Sequence, residues 1–331
     1  MNWKFWLGMG VSAVLVFFLF RGIDYHKLWE ASSHANLYLW ILAFFITYLL
    51  MLIRALRWQY LMGHIKKIGI WSLFSATTIG FMANNLLPAR MGEFVRAYVI
   101  GTKEEVSVTS SFATIVVERI FDMITVLLLA MAVFLLFELP GGVSEIKEMV
   151  KGGAYGLMVV IIVAVLFLYV LVRYREKSLS LVRGILRPFP ERIQEQSVLF
   201  MGSLASGLEI VKGKRPLFMV SIYSVLNWLA SALPIYIITI SFGFMLPFSS
   251  ALLILVLLAF AVSVPSSPGS VGPFHYAVYL GLGFYGVGKE EAIGMAIVMH
   301  LAQFVPLVVL GLFLVWREKL SFSKIKGAAS K

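Results

Sequence analysis

Residues 84–96 read NNLLPARMGEFVR, and residues 265–274 read PSSPGSVGPF. Both stretches contain the pattern Pro-x-x-x-Gly-x-Phe, which begins at Pro88 in the first and at Pro268 in the second. Proline and glycine interrupt regular helix, and both stretches lie within apolar surroundings. Each pattern therefore predicts a break inside a membrane-embedded helical segment.

The composition around these breaks is that of a membrane protein. Hydrophobic residues make up 60% of the 331 residues, against roughly 45–50% in soluble domains, and the mean hydropathy is +0.90. Apolar runs predict about six spanning helices, at 5–20, 37–55, 112–137, 154–172, 217–241 and 291–316. The sequence thus predicts an all-α polytopic membrane protein, with a single transmembrane domain over residues 1–331.

The two interrupted stretches, at about 71–102 and 249–288, are predicted to be broken-helix hairpins. Their arms of about 11–17 residues are shorter than the roughly 20 residues of a comfortable span. Each stretch is either a re-entrant hairpin, whose non-helical backbone needs a protein-lined cavity, or a pair of short spanning helices. Both interpretations remain open.

The distribution of basic residues predicts the orientation in the membrane. Arg54, Arg57, Lys66 and Lys67 form one basic loop, and residues 173–215 and the C-terminal tail are also basic. Basic loops favour the cytoplasmic side, so both termini are predicted to be cytoplasmic. The segment 175–215 is predicted either to lie along the cytoplasmic interface or to cover the helix bundle.

The shared Pro-x-x-x-Gly-x-Phe pattern indicates an internal repeat, and the sides on which the two hairpins begin and end give it an inverted topology. The first hairpin would begin and end on the cytoplasmic side, and the second on the outer side. Residues 71–137 and 249–316 are therefore predicted to be repeats of inverted topology, an architecture that places a substrate site at the repeat interface. In the long helix after each hairpin, Ile115–Glu118 aligns with Ile297–His300.

Ionisable residues mark the first repeat as a candidate site. The candidates are Arg90, Glu93, Arg96, Glu118, Arg119 and Asp122. Helical spacing puts the three hairpin residues on one face and Glu118 with Asp122 on another, so the two faces can pair. Such residues usually mark pathways in membranes, but they can also neutralise one another as a brace. Arg90 or Arg96 could bind an anionic head group while the carboxylates hold the arginines.

The second repeat offers backbone amides and hydroxyl groups instead of charge. The candidates here are Ser267, Pro268, Gly269, Gly272 and His300, with Asn85 from the first hairpin. A helix N-terminus at this break could hold a phosphate oxygen. His300 is either a hydrogen-bonded structural residue or a proton carrier. Asn227 is predicted to bond a neighbouring helix.

Several functional classes lack their signatures in the chain. There is no cysteine, and the sequence contains neither a phosphate-binding G-x-x-x-x-G-K-[ST] motif nor H-E-x-x-H nor G-x-S-x-G. The formal net charge of +11 is clustered between apolar segments, which favours anionic lipid over nucleic acid as the partner. We therefore expect no enzyme activity, no metal and no cofactor.

The motifs at 84–97 and 265–272, together with Glu118-Arg119-x-x-Asp122, resemble those of the lysylphosphatidylglycerol synthase transmembrane-region family, also called flippase-like domain proteins. The resemblance covers nearly the whole chain. It implies a lipid translocator, since the membrane domain of the namesake proteins moves aminoacylated phosphatidylglycerol to the outer leaflet. No aminoacyltransferase domain follows Trp316, so we expect this chain not to synthesise lysylphosphatidylglycerol itself.

The sequence thus predicts a flippase for an anionic or glycosylated phospholipid or polyprenyl lipid, in a bacterial or archaeal cytoplasmic membrane. Its partners would be membrane lipids and possibly a separate lipid-synthesising enzyme. One alternative is a non-transporting scaffold or regulator of a lipid-modifying enzyme. Another is a membrane-embedded transferase with Glu118 or Asp122 as general base.

Overall fold

A computed structural model describes residues 3–87, 91–137, 155–156, 158–159, 162–163, 166, 170, 173–188, 190–207, 213–264 and 266–320. Within these ranges all regular structure is helical, which confirms the all-α prediction. The helices are α1 (Trp3–Phe20), α2 (Tyr25–Ser33), α3 (Leu37–Met62), α4 (Ile70–Leu86), α5 (Gly92–Glu104), α6 (Val108–Leu136), α7 (Arg175–Ile185), α8 (Glu191–Gly207), α9 (Lys214–Ser241), α10 (Phe248–Ala261), α11 (Pro273–Gly283) and α12 (Lys289–Arg317), with a 3₁₀ turn at Pro268–Ser270. The predicted loop 138–153 and most of the predicted helix 154–172 lie outside the described residues.

Helix length and composition identify the spans among the described residues. The helices α3, α9 and α12 are long and apolar enough to cross a membrane, and α1 with α2 would make a fourth span despite an 88° bend. The helix α6 has 29 residues, which is about 43 Å at 1.5 Å per residue, and it carries ionisable residues near its middle. The chain is a multi-pass membrane protein.

Two helical hairpins occupy the positions predicted for the broken segments. Hairpin A consists of α4 and α5, and hairpin B consists of α10 and α11 with the 3₁₀ turn between them. The start and the end of hairpin A lie together at one end of the bundle. There Lys66, just before α4, donates a hydrogen bond from Nζ to the carbonyl oxygen of Glu104, the last residue of α5, at 2.6 Å. The ends of α5 and α12 also meet there, since Lys103 pairs with Glu318 at 2.5 Å. We call this the basic end of the molecule.

Hairpin B begins and ends at the other end of the bundle. The start of α3 meets the end of α9 there, as Asn36 N donates to Ser241 O at 2.9 Å. The start of α12 meets the end of α1, as Lys289 Nζ donates to Arg21 O at 2.8 Å. We call this the opposite end. The two hairpins thus enter the bundle from opposite ends.

The prediction for the end of α3 was wrong. The helix was expected to stop near residue 55, with Arg54 and Arg57 in a basic loop, but it continues to Met62. Trp58 and Met62 are fully buried, so the apolar face continues through this turn. Arg57 is itself fully buried inside the bundle.

A polar residue of α3 satisfies the carbonyl group that a proline leaves free inside α12. Pro306 lies within α12 and has no N–H to donate to the carbonyl of Ala302, four residues earlier. Thr47 Oγ1 donates to that carbonyl at 2.9 Å instead. The freed acceptor is therefore satisfied inside the membrane, as buried carbonyl groups require.

The predicted segment 175–215 contains the helices α7 and α8 near the basic end. Helix α8 packs on α6, and the rings of Phe112 and Phe200 lie 6.3 Å apart. Leu181, Ile185 and Leu199 are exposed. The segment thus both covers the bundle and presents apolar side chains outward.

Candidate functional site: a buried charge cluster and the meeting of two hairpin tips

A group of ionisable side chains lies between α3, α5 and α6. Its members, which we call the charge cluster, are Arg57, Glu93, Arg96, Glu118, Arg119 and Asp122. Glu118 is fully buried. Its Oε1 lies 2.9 Å from Arg57 Nη2, 3.0 Å from Arg96 Nη1 and 2.9 Å from Arg119 Nη2. Because ionised groups make the stronger hydrogen bonds, this one oxygen ties the three helices together.

Asp122 joins a fourth helix to the charge cluster. Arg57 donates to both of its carboxylate oxygens, from Nη1 at 2.6 Å and from Nη2 at 3.2 Å. Trp228 of α9 donates from Nε1 to Oδ1 at 3.2 Å, and Arg119 Nη1 lies 3.4 Å from Oδ2. Asp122 is therefore held from three directions.

The charge cluster has one open side. The side chains of Arg119 and Glu93 are 35% and 33% exposed, and their Nε and Oε1 atoms are 3.4 Å apart. Arg57, Arg96 and Glu118 are at most 2% exposed. A ligand arriving from outside would therefore meet Arg119 and Glu93 first.

Arg96 is enclosed by aromatic and polar neighbours. Its guanidinium carbon lies 3.8 Å from the ring centre of Trp58, a distance typical of a cation–π contact. Trp58 is itself fixed, because its Nε1 donates to Thr114 Oγ1 at 2.9 Å. Arg96 is therefore a buried arginine, 2% exposed, that pairs with Glu118.

Two glycines set the close approach of the arms of hairpin A. A Cβ atom on Gly80 would lie 2.8 Å from both Arg96 Cβ and Gly92 O, and a Cβ on Gly92 would overlap Gly80 O. Asn84 Oδ1 also accepts a hydrogen bond from Gly92 N at 2.8 Å. Asn84 and Gly92 of the first quoted stretch thus hold the start of α5 against the end of α4.

The tip of hairpin B, which we call tip B and which comprises residues 266–272, is held by α1 and α12. Ser267 N donates to Ser12 Oγ at 2.9 Å, and His300 Nε2 lies 2.8 Å from Gly269 O. The backbone has positive φ angles of 71° at Gly269 and 99° at Gly272, which glycine adopts at little cost. The two glycines and the hydrogen bonds to α1 and α12 thus hold tip B in a tight turn.

The tips of the two hairpins meet inside the bundle. A Cβ atom on Gly269 would lie 3.6 Å from Asn85 O at the end of α4 and 3.2 Å from Phe304 of α12. Arg96 follows the start of α5 by one helical turn. The contact between the hairpins therefore lies near the start of α5, the arm that carries Arg96 into the charge cluster, and beside the middle of α12.

An imidazole pair lies beside tip B. The rings of His275 and His300 have centroids 4.9 Å apart, and Phe274 and Phe304 flank His300 at 5.1 and 5.6 Å. Among the described residues, no group of three or more acidic, histidine or cysteine side chains is arranged to hold a metal ion. The imidazole pair thus places ring nitrogens that can donate or accept hydrogen bonds beside tip B.

The family model described as the lysylphosphatidylglycerol synthase TM region matches residues 5–311. The chain belongs to this family. The match includes both hairpins, the charge cluster and tip B.

Two other proteins are similar to parts of this chain. The chain is 33% identical over 107 residues to the glycosyltransferase AglD of Haloferax volcanii, covering 31% of this chain and 17% of that protein. It is 30% identical over 132 residues to the UPF0104 membrane protein MJ1595 of Methanocaldococcus jannaschii, covering 38% of this chain and 35% of that protein. The matched stretches thus span well under half of either relative. No solved structure matches the chain.

The residues predicted for the site fall into two adjoining groups in this family member. Glu93, Arg96, Glu118, Arg119 and Asp122 lie together in the charge cluster, where the predicted pairing between faces is observed. The remaining described candidates, Asn85, Ser267, Pro268, Gly269, Gly272 and His300, lie at or beside the meeting of the tips. Arg90 lies outside the described residues.

Sequence reasoning missed several members of the site. Arg57 was placed in a loop, although it contacts both Glu118 and Asp122. Trp228 and Ser12 were also not recognised as partners of the cluster and of tip B. The apolar run that continues through Leu61 and Met62 was the available signal for Arg57, because it places the arginine inside the helix.

Proposed function

We propose that this protein translocates a lipid with an anionic or glycosylated head group, a phospholipid or a polyprenyl lipid, between membrane leaflets. The observation that carries this proposal is the contact of two hairpins that enter from opposite ends and meet beside a charge cluster. Inverted repeats in transporters place their substrate site at such an interface. The family of the chain and its relatives support lipid or glycolipid handling.

In this proposal the basic end faces the cytoplasm of a bacterial or archaeal cell. Lys66, Lys67 and Lys103 lie at that end, and basic residues near span ends favour the cytoplasmic side. Hairpin A would then open toward the inner leaflet and hairpin B toward the outer leaflet. Movement at the tips would connect a head-group site to one leaflet at a time.

The charged residues divide their roles according to exposure. Arg119 is the arginine of the charge cluster with the exposed side chain, so it would make the first contact with a lipid phosphate. Arg57 and Arg96 would hold Glu118 in place, which keeps a carboxylate ready to receive Arg119 again when the lipid departs.

A second candidate function is supported by the name of one relative. The match to a glycosyltransferase over 17% of its length favours a membrane part that works beside a lipid-modifying enzyme. In that case the chain would scaffold or regulate a separate transferase and would not move lipid. We propose that the chain itself has no catalytic activity under either candidate.

Leaflet exchange in proteoliposomes tests the proposal. Fluorescent phosphatidylglycerol and a fluorescent polyprenyl phosphate would be reconstituted with the wild-type protein or with Arg119→Gln. Arg187→Gln is the matched control, because it removes the same charge from an exposed position near the basic end. Protein-dependent exchange that falls in Arg119→Gln and persists in the control is expected.

Two outcomes of the leaflet-exchange experiment would contradict this proposal. Exchange that is equal in Arg119→Gln and wild type would remove Arg119 from the pathway. No exchange with either lipid, together with co-purification of a transferase, would favour the scaffold function.

A further inference from the structure

Arg54 is a basic residue within the apolar helix α3. It follows the apolar first half of the helix and comes one turn before Arg57. Its guanidinium carbon lies 4.7 Å from the ring centre of Phe81 in hairpin A. Among the described residues it makes no salt bridge, and its buried Nε atom has no hydrogen-bond partner. An arginine at this depth is costly unless it meets a partner.

Asn227 is a polar residue near the middle of α9. It lies in α9 and is fully buried, and both its Nδ2 and Oδ1 atoms lack a hydrogen-bond partner among the described residues. An unsatisfied buried amide destabilises a protein, because the hydrogen bonds it made to water in the unfolded chain are not replaced. Asn227 was predicted to bond a neighbouring helix, and the described helices offer no such bond.

Helix geometry places these two side chains at the same level. Arg57 Nη1 donates to Ser224 Oγ at 3.0 Å, which fixes the register of α3 against α9. The two helices run in opposite directions, since the start of α3 meets the end of α9. One step of three residues toward the opposite end leads from Arg57 to Arg54 on α3, and from Ser224 to Asn227 on α9.

The charges around this position are unbalanced. Arg54 experiences the charges of Arg57, Glu118, Arg119 and Asp122. With Arg96 and Glu93 included, the described part of the chain places four arginines against three carboxylates here, which leaves one positive charge over among these residues. A phosphodiester carries one negative charge and accepts hydrogen bonds through its free oxygens, so it would neutralise the excess.

We propose that Arg54 and Asn227 form a binding site for the phosphodiester group of a lipid. This assignment rests on the proposed function, because it names where the head group resides between the two leaflets. Arg54 supplies the charge and Asn227 Nδ2 donates a hydrogen bond to a phosphate oxygen. The orphaned amide is then a ligand-binding group whose partner is the lipid.

The site lies next to the charge cluster through two established contacts. Trp228, the neighbour of Asn227, donates to Asp122, and Arg57, one turn from Arg54, donates to the same carboxylate. A lipid that first meets Arg119 on the open side would thus pass along Asp122 to reach Arg54. Phe81 of hairpin A stacks on Arg54, so the same hairpin contacts both groups of residues.

Binding in detergent solution tests this site separately from transport. The probe is short-chain phosphatidylglycerol, compared with diacylglycerol of the same chains and with inorganic phosphate, followed by calorimetry on the purified full-length protein. Arg54→Gln should weaken the affinity for phosphatidylglycerol about tenfold or more, since hydrogen bonds to charged groups have this magnitude. Arg54→Lys should retain part of the affinity, and Arg187→Gln should leave it unchanged.

Asn227→Leu provides an independent measurement. It removes an unsatisfied buried amide, so the ligand-free protein should melt at the wild-type temperature or above while its affinity for phosphatidylglycerol falls severalfold. A lower melting temperature with unchanged affinity would show that Asn227 has only a structural role. That result would overturn the site.

The outcomes also separate the site from the proposed function. Unchanged affinity in folded Arg54→Gln, while the wild type exchanges lipid between leaflets, would overturn the site and leave translocation standing. Loss of affinity in Arg54→Gln, with no exchange by the wild type, would support the site and overturn translocation. Equal competition by inorganic phosphate would overturn a lipid-specific site, and phosphatidylglycerol binding that free phosphate does not displace supports it.

Discussion

Hairpins A and B are both pairs of helices, but each contacts the long helix that follows it by different chemistry. In hairpin A, side-chain charge connects the arm α5 to the next long helix, through the pair of Arg96 and Glu118. In hairpin B, a neutral side chain, His300 of the next long helix, meets a backbone carbonyl, Gly269 O. Glu118 and His300 are the residues that align in the two repeats.

This difference indicates that the two hairpins differ in rigidity. Buried ion pairs are expensive to dismantle, because a lone charge left behind has no solvent to stabilise it. A neutral hydrogen bond contributes only about 0.5–1.5 kcal/mol. Hairpin A is therefore expected to be the rigid half that binds charge, and hairpin B the half that can move.

Glu118→Gln should have the largest effect on this comparison. The variant leaves Arg57, Arg96 and Arg119 without their shared carboxylate, and breaking a buried pair costs about 3–5 kcal/mol. We expect a strongly reduced yield of folded protein and a lower melting temperature in detergent. Glu195→Gln, at an exposed position of α8, is the matched control, and equal melting temperatures for the two variants would refute the rigid role of the cluster.

Gly92→Ala and Gly281→Ala compare the packing of the two hairpins directly. A Cβ on Gly92 overlaps the backbone oxygen of Gly80, whereas a Cβ on Gly281 meets the side-chain Cγ1 of Ile254 at 2.6 Å. Backbone cannot rotate away, so Gly92→Ala should cost about 3 kcal/mol and Gly281→Ala about 1 kcal/mol. Melting temperatures should follow this order.

Gly283→Ala supplies the control for both glycine variants. Its Cβ would meet no atom within 4 Å, so its melting temperature should equal or slightly exceed that of the wild type. A larger loss in Gly281→Ala than in Gly92→Ala would contradict the view that hairpin A is the more tightly constrained half.

The breaks in the hairpins could be predicted from sequence because proline and glycine act locally. The patterns starting at Pro88 and Pro268 predicted two hairpins, and the structure has helix pairs at both positions. Local rules could also have revealed α2, which was not predicted. Asp24 begins it as an N-cap, accepting hydrogen bonds from His26 N and Lys27 N at 2.9 and 3.2 Å, a role that aspartate often has.

The partners in the site could not be predicted in the same way, because they depend on distant contacts. Arg57 lies near the end of an apolar run, where the positive-inside tendency favours a loop. Its burial is possible only because Glu118 and Asp122 approach from another helix. Likewise, nothing local distinguishes Asn84, whose side chain caps α5, from Asn85, whose carbonyl faces tip B.

His300→Leu tests the neutral contact of hairpin B. It removes the hydrogen bond to Gly269 O, so we expect a loss of about 1 kcal/mol in stability and a severalfold change in the leaflet exchange rate. His300→Gln, which keeps an N–H donor, should restore most of both, and His26→Leu at an exposed position should change neither. Wild-type exchange in His300→Leu would show that this contact does not control tip B.

Ser12→Ala should have the smallest effect and the most local one. Its hydroxyl accepts the hydrogen bond from Ser267 N, and its loss should cost about 1 kcal/mol or less. Because α1 also approaches tip B closely at Gly8 and Gly272, the helix should stay in place while the tip loosens. Hydrogen exchange at residues 266–272 should then accelerate without a matching change at residues 92–104, and Ser180→Ala, at an exposed position, should alter neither region. If exchange accelerated equally in both hairpins, the tips would form one cooperative unit, and the division into a rigid half and a movable half would be wrong.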